Sequence, residues 1–409
     1  MYDSQFLIFN SQLSISLPWS KSVRARELVL DALEGRKIEI EEENDDIFVL
    51  SRALYNAQCI MHNAQLLDRS DQLDLSDGSQ LSTFNLHASG TALRFMTAYC
   101  AAVDGEWVLS GTERLCERPI KPLVDVLRAM GAKIEYLEKE GFAPLKIEGR
   151  RLKGGRVRLD ASESSQFASA LMLIADKVDG GIEIDYEGDV ASQSYISLTQ
   201  KVIEKYRSGV RCSGERDWSS ATVWYAAMAV MKEGRFLLDG LSLNSCQPDR
   251  KIVEVFEKLG VRTMVVANGV VIESNGCVVD KLVLDCKNMP DAVVYIAVAA
   301  CLLGVEFEIS GVETLRVKES DRIEALMTEI RKCGYVLKYD EIGKICWCGE
   351  RCEGEKVAYI NTYNDHRMAM SMAVIGLMRE IEIENPKVVN KSYPAFWAEF
   401  NKMRNEELL

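Results

Sequence analysis

Six times along the chain a short polar signature runs directly into an apolar helical stretch built from small residues, and then into a strand-like segment. The signatures begin at Ser20-Lys21-Ser22, Ser89-Gly90-Thr91, Ser164-Ser165-Gln166, Ser219-Ser220, Pro290-Asp291 and Asn364-Asp365-His366-Arg367. Their starts recur at roughly 55 to 75 residues, beyond the periods of solenoid repeats, so each unit is expected to be a packed βα subdomain with its own sheet. The stretches that follow, such as residues 170–175 and 293–300, are apolar nearly all round. That pattern predicts buried helices rather than amphipathic ones. At roughly 12 residues they fall short of the roughly 20 needed to cross a bilayer, so no membrane association is expected.

A second kind of helix is predicted after most of the strands, at residues 123–128, 251–256 and 323–330. Apolar and charged positions alternate there at helical spacing, and Gly131, Gly260 and Gly334 follow as stop signals. These helices should keep one face exposed.

With 409 residues and 47% hydrophobic content there is core enough for two domains, and no Pro-, Gly- or Ser-rich linker separates them. Residues 1–17 lack the basic and long apolar pattern of a signal peptide, so secretion is not expected. The 12 cysteines are scattered rather than framed, which fits reduced thiols in a cytoplasm. Only Cys346-x-Cys348-x3-Cys352 is clustered, without a second ligand pair, so a metal site is not expected.

The formal net charge of -13 disfavours nucleic acid, whose phosphate backbone demands a basic surface. Small anions remain admissible. Helix N-termini offer unpaired N–H groups and a positive dipole end, so several polar helix starts could hold an anion within an acidic protein. The charged residues in the signatures then become candidates. Asp, His and Arg in Asn364-Asp365-His366-Arg367 are poor openings for a buried helix unless each has a partner. Arg316-Val317-Lys318-Glu319-Ser320-Asp321-Arg322 packs alternating charges into one helix start, Lys21 and Arg26 sit at another, and Arg118 precedes a rigid Pro119.

Together these segments resemble the 5-enolpyruvylshikimate-3-phosphate synthase family, in the family's order, from Ser20 to Pro394. The most specific pieces are Arg316 through Arg322, Tyr363-Asn364-Asp365-His366-Arg367-Met368-Ala369-Met370 and Glu117-Arg118-Pro119-Ile120. The resemblance implies an α/β fold, a two-domain inverse αβ prism whose domains each comprise three βαβαββ-type repeats with buried parallel helices. It places one domain at residues 19–216 and a second, discontinuous one at residues 1–18 and 217–409, with the active site in the cleft between them.

The resemblance also implies enolpyruvyl transfer from phosphoenolpyruvate to shikimate 3-phosphate, with no cofactor and no metal, in a cytoplasmic monomer. Lys21 would reach both substrates, and Ser22 and Arg26 would hold shikimate 3-phosphate. Ser164, Ser165, Ser192 and Lys318 would bind its phosphate, Gln166 would contact both ligands and Tyr195 would lie against the ring. Gly90 would let the backbone approach phosphoenolpyruvate, Arg118 and Lys391 would grip its phosphate, and Arg322 and Arg367 would fork its carboxylate. Asp291 would take the proton of the attacking hydroxyl, and Glu319 would protonate the methylene carbon. Two carboxylates can divide base and acid work when their environments differ.

Some positions depart from the family pattern. Trp19 stands in place of a glycine, His87-Ala88-Ser89-Gly90-Thr91 in place of Gly-Asn-Ala-Gly-Thr, Thr314 in place of a frequent asparagine, and Gln193-Ser194 in place of Lys-Pro. Other readings are the UDP-N-acetylglucosamine enolpyruvyl transferase, a catalytically silent protein on the same scaffold, and the RNA 3'-phosphate cyclase. The first uses a loop cysteine five residues before its arginine, whereas Cys116 lies two before Arg118. The second should have lost Asp291, Glu319 or the arginines, and the third is disfavoured by net acidity.

Overall fold

A computed structural model describes residues 12–67, 82–212, 214–340 and 343–405. The chain forms two compact units, Lys21–Ser213 and Met1–Ser20 joined to Gly214–Leu409. Strand β1 (Gln12–Ser16) belongs to the second of these.

The unit Lys21–Ser213 opens with α1 (Lys21–Leu33) and α2 (Asp45–Leu67). It continues through β2 (Ser82–Asn85), α3 (Gly90–Ala102), β3 (Gly105–Ser110), the single turn α4 (Glu113–Cys116), α5 (Lys121–Ala129), β4 (Lys133–Tyr136) and β5 (Leu145–Gly149). It closes with β6 (Lys153–Asp160), α6 (Ser165–Ile174), β7 (Asp179–Glu187) and α7 (Gln193–Arg207).

The other unit adds α8 (Trp218–Met231), β8 (Arg235–Asp239), α9 (Ile252–Lys258), β9 (Leu259–Val266) and β10 (Gly269–Val278) to β1. Next come β11 (Lys281–Asp285), α10 (Val293–Leu303), β12 (Glu306–Ser310), α11 (Arg322–Lys332), β13 (Lys338–Tyr339) and β14 (Ile345–Trp347). Finally there are β15 (Ala358–Ile360), α12 (His366–Ala373), β16 (Ile381–Ile383) and α13 (Phe396–Asn405).

The repeat is visible in the strand order. Sheets β2-β3-β5-β4, β1-β8-β10-β9 and β11-β12-β14-β13 share one topology. In each, the first two strands are parallel, with a buried helix leading into the second, and a hairpin pairs antiparallel with that second strand; between β1 and β8 the chain also runs through the whole unit Lys21–Ser213. These are complete βαβαββ units. The β6-α6-β7-α7 and β15-α12-β16-α13 units show only the parallel pair among the described residues. Around α1 and α2 no strand occurs among the described residues.

The crossover helices are buried for the reason their composition predicts. In α8 every residue from Ser220 to Val230 is buried, and in α10 every residue from Val293 to Cys301. Their alanines let neighbouring helices approach closely. Within one unit α1, α3 and α6 pack against one another, and within the other α8, α10 and α12 do so. Each fully buried Val, Leu or Met in these bundles contributes about 1.5–3 kcal/mol against the cost of ordering the chain.

The helices of a bundle also run the same way. Gln166, second in α6, donates to Thr91, second in α3, at 3.0 Å, and Arg26 of α1 reaches Ser169 of α6 at 3.3 Å. The polar starts therefore gather at one end of the bundle. The second helices α5, α9 and α11 end ahead of Gly131, Gly260 and Gly334, whose φ values of 103°, 89° and 95° lie where a side chain would be strained.

Candidate active site

In the unit Lys21–Ser213 the candidate residues all lie at helix starts. Lys21 opens α1 and donates to Asp46, near the start of α2, at 2.7 Å. Arg26, one turn further on, is 2% exposed. Its guanidinium donates to Thr199 Oγ1 at 2.7 Å, Ser169 Oγ at 3.3 Å, and the carbonyls of Ser22 and Tyr195 at 2.6 and 3.4 Å. All four partners are neutral. Burial lowers its pKa to about 10, with Tyr195 opposing.

Ser164 caps α6 by accepting from the Gln166 backbone N–H at 3.2 Å, and Ser165 is buried at the first helical position. The Gln166 side-chain oxygen is buried without a partner while its nitrogen holds Thr91. Ser192 takes the left-handed conformation at φ 49° just before α7, and Tyr195 lies one turn into that helix.

Gly90 begins α3, and a Cβ there would stand 2.5 Å from Arg118 Nη1 and 2.7 Å from Arg118 Cζ. Arg118 thus lies flat against the glycine backbone, an approach that only glycine permits. Buried Arg94 fixes this segment by donating to the Gly90 carbonyl at 3.2 Å and the Pro119 carbonyl at 2.7 Å.

In the other unit the candidates form one ion network. Asp291 sits in a single 3-10 turn, Pro290–Ala292, that leads into α10. Arg322, first residue of α11 and 1% exposed, donates to Asp291 at 2.7 Å, to Glu319 at 2.9 Å and twice to Asp365, at 2.7 and 3.2 Å. Arg367 reaches the second Asp291 oxygen at 3.1 Å, Lys318 approaches the first at 3.7 Å, and Lys391 donates to Glu319 at 3.0 Å.

Lys318, Arg322, Arg367 and Lys391 face Asp291, Glu319 and Asp365 through these contacts. Burial by itself would raise the Asp291 pKa, but Arg367, Lys318 and Arg322 outweigh it and hold the carboxyl well below the usual range. For Arg322 burial works against the charge, yet Asp365, Glu319 and Asp291 more than offset it and push the pKa up. Asp291 and Arg322 therefore both stay charged near neutrality.

The sequence marked all these cations and, among the groups that orient them, Asp365. Asp365, fully buried, caps α12 through the Arg367 N–H at 2.9 Å, accepts from Ser320 at 3.0 Å and grips Arg322. Asp46, Thr91, Arg94, Ser169 and Thr199 play the same part in the other unit. The signal for Asp365 was its place as an acidic cap before a buried helix. Of the others only Thr91 stood within a signature, and nothing local marked Asp46, Arg94, Ser169 or Thr199. Among the described residues, no cluster of three or more His, Cys, Asp or Glu is arranged to hold a metal ion.

Comparison with known proteins decides the family. The family model of EPSP synthase (3-phosphoshikimate 1-carboxyvinyltransferase) matches residues 12–400. The chain belongs to the EPSP synthase family. It is 36% identical over 408 residues to a Bacteroides fragilis 3-phosphoshikimate 1-carboxyvinyltransferase, covering 95% of this chain and 94% of that one. It is 33% identical over 425 residues to the protein of that name from Haemophilus influenzae, covering 95% and 96%. The solved EPSP synthase of Acinetobacter baumannii superposes with a TM-score of 0.67 at 19% identity, over 96% of this chain and 95% of that one. That likeness bears on the fold.

The departures from the EPSP synthase pattern have structural consequences. His87 occupies φ 49° where the family has glycine, and its Nε2 lies 3.4 Å from Arg52. Trp19 is 39% exposed and stacks with Arg216, whose Cζ lies 3.6 Å from the ring centroid. Thr314 falls in the 3-10 turn Glu313–Val317, and Gln193 opens α7. Cys116 ends α4 with its sulfur 3.9 Å from the Gly111 carbonyl.

Proposed function

We propose that this protein transfers the enolpyruvyl group of phosphoenolpyruvate to the 5-hydroxyl of shikimate 3-phosphate, releasing phosphate, as a cytoplasmic monomer in aromatic amino acid biosynthesis. The observation that carries the reading is the Arg322 network, where two carboxylates, Asp291 and Glu319, share one buried guanidinium and are also met by Arg367, Lys318 and Lys391.

Ser22 and Arg26 bind shikimate 3-phosphate, and the neutral cradle of Arg26 leaves its charge to be met by a substrate carboxylate. Ser164, Ser165 and Ser192, with Lys318, bind its phosphate; Gln166 contacts both ligands and Tyr195 lies against the ring. Arg118 and Lys391 hold the phosphate of phosphoenolpyruvate, Gly90 gives it room, and Lys21 serves both ligands. Arg322 and Arg367 take its carboxylate, for which the planar fork is suited.

Ligand binding also prepares the base. When a substrate carboxylate draws Arg322 and Arg367 away from Asp291, the cations holding that carboxyl down are partly neutralised and its proton affinity rises. Asp291 can then accept the proton of the attacking hydroxyl as the C–O bond forms at C2 of phosphoenolpyruvate. Glu319 delivers a proton to the methylene carbon. The resulting tetrahedral ketal loses a proton from its new methyl group and expels phosphate, which restores the double bond.

Asp291→Ala and Glu319→Gln should each lower kcat by on the order of 100-fold while shikimate 3-phosphate binding is retained. Near-normal turnover in either variant would remove that residue from the mechanism. Turnover of UDP-N-acetylglucosamine in place of shikimate 3-phosphate would overturn the substrate assignment.

A further inference from the structure

Tyr363 and Asn364, which carry the chain from β15 to the start of α12, both adopt left-handed backbone at φ 53°. For a bulky residue such as tyrosine that conformation is costly and persists only when the surroundings impose it. The imposing group is Glu329. Its carboxylate is fully buried, accepts the Tyr363 hydroxyl at 2.7 Å and the Asn361 backbone N–H at 3.0 Å, and is neutralised by Lys332 at 2.7 Å. Asn385 secures the other strained residue by donating to the Asn364 side-chain oxygen at 3.0 Å.

Glu329 lies seven residues after Arg322 on α11, two helical turns along and so on the same face. That face holds the loop at two points. Glu329 grips Asn361 and Tyr363, Arg322 grips Asp365, and the strained pair is stretched between them. The loop ends in Asp365, which caps the helix that begins with His366 and Arg367. Were the Glu329 grip released, the left-handed pair could relax toward ordinary backbone, and the start of α12 would shift with it.

We propose that Glu329 is a positioning residue which, through Tyr363, holds the loop in its strained form and so aims Arg367 and Asp365 at the site. It touches no substrate in this account. The proposal rests on the phosphoenolpyruvate-binding role assigned to Arg367 above.

Three variants test it. Tyr363→Phe deletes only the hydroxyl, and Glu329→Gln weakens the acceptor for Asn361. Each should lower kcat/KM for phosphoenolpyruvate by about tenfold, since a small misplacement of a positioning group far from the chemistry carries a cost of that order. The affinity for shikimate 3-phosphate alone, whose Arg26 cradle belongs to the other unit, should stay within about twofold of the parent. Tyr363→Gly removes the backbone strain, so adding Glu329→Gln to it should cost less than about twofold more.

A second readout does not depend on turnover. Exchange of the Asp365 and Arg367 amide protons, which bond to the Thr362 carbonyl and the Asp365 carboxylate, should speed up by about tenfold in Tyr363→Phe as the loop opens. Inactivity of the parent with faster exchange in the variant would sink the reaction assigned above while leaving the clamp in place. Unchanged exchange and unchanged kinetics in a folded Tyr363→Phe would overturn the clamp. Equal losses for both substrates would also overturn it, because they would mark Glu329 as merely structural.

Discussion

Replacing Arg322 by methionine isolates the most buried part of the charge network. Arg322 meets Asp365 through two hydrogen bonds of 2.7 and 3.2 Å, and Asp365 is fully shielded from water. Without the guanidinium, Asp365 keeps only the Ser320 hydroxyl and the Arg367 backbone N–H among its close donors. Asp291 and Glu319 fare better, since Arg367, Lys318 and Lys391 still face them. The cost therefore concentrates at Asp365. Leaving one buried member of an ion pair uncompensated costs about 3–5 kcal/mol.

With a urea dependence of about 2 kcal/mol per molar, that loss lowers the unfolding midpoint by roughly 1.5–2.5 M. Asp365→Asn alone should also destabilise, because Arg322 loses its most buried partner. The double variant removes both charges, and its loss should fall short of the sum of the single losses by about 2 kcal/mol or more. Urea unfolding of the four proteins measures the cycle directly. Losses that add to within about 0.5 kcal/mol would refute the coupling on which the network is built.

Other outcomes follow from the same geometry. Gly90→Ala would put a methyl group 2.5 Å from Arg118 Nη1, so the guanidinium must move; kcat/KM for phosphoenolpyruvate should fall by about tenfold, and unchanged kinetics would dissociate Arg118 from that substrate. Arg26→Met removes a buried cation whose partners are all neutral; the unliganded protein should unfold at equal or higher urea while shikimate 3-phosphate affinity drops by on the order of 100-fold, and lost stability with retained affinity would contradict the cradle. The Asp291 carboxyl has a folded-state pKa held below its unfolded value of about 3.9. Its contribution to stability is present above that value and is lost as pH falls through the folded pKa, so the parent should weaken below about pH 4 in a way that Asp291→Asn does not. Parallel acid limbs in the two proteins would argue against the shift.

Much of this was legible in the sequence because buried helices that open on polar residues are rare unless those residues are used. Residues 293–300 announced a core helix through unbroken apolar composition, and Asp291 before them announced a site. The βαβαββ form of the three complete sheets came from the family resemblance and not from the apolar runs themselves. The shortened units could not be anticipated, since a missing hairpin leaves no positive mark in the chain. The orienting groups were hidden for a different reason. Thr199 holds Arg26 across 173 residues of chain, and Tyr363 finds Glu329 across 34. Such partners are ordinary polar residues on ordinary helices and acquire meaning only when the fold brings them together. The strain at Tyr363 was equally silent, because tyrosine carries no sequence preference for the left-handed backbone it adopts.

The central claim is that the protein joins two anionic substrates by moving an enolpyruvyl group, and phosphorus NMR of one reaction mixture tests it most directly. With phosphoenolpyruvate and shikimate 3-phosphate both present, the phosphoenolpyruvate resonance should disappear as inorganic phosphate appears in equal amount. The ring phosphate carried over from shikimate 3-phosphate should persist at a new position belonging to the product, and neither substrate alone should change. Folded protein that binds shikimate 3-phosphate yet leaves every resonance in place, or that releases phosphate from phosphoenolpyruvate alone, would contradict the account.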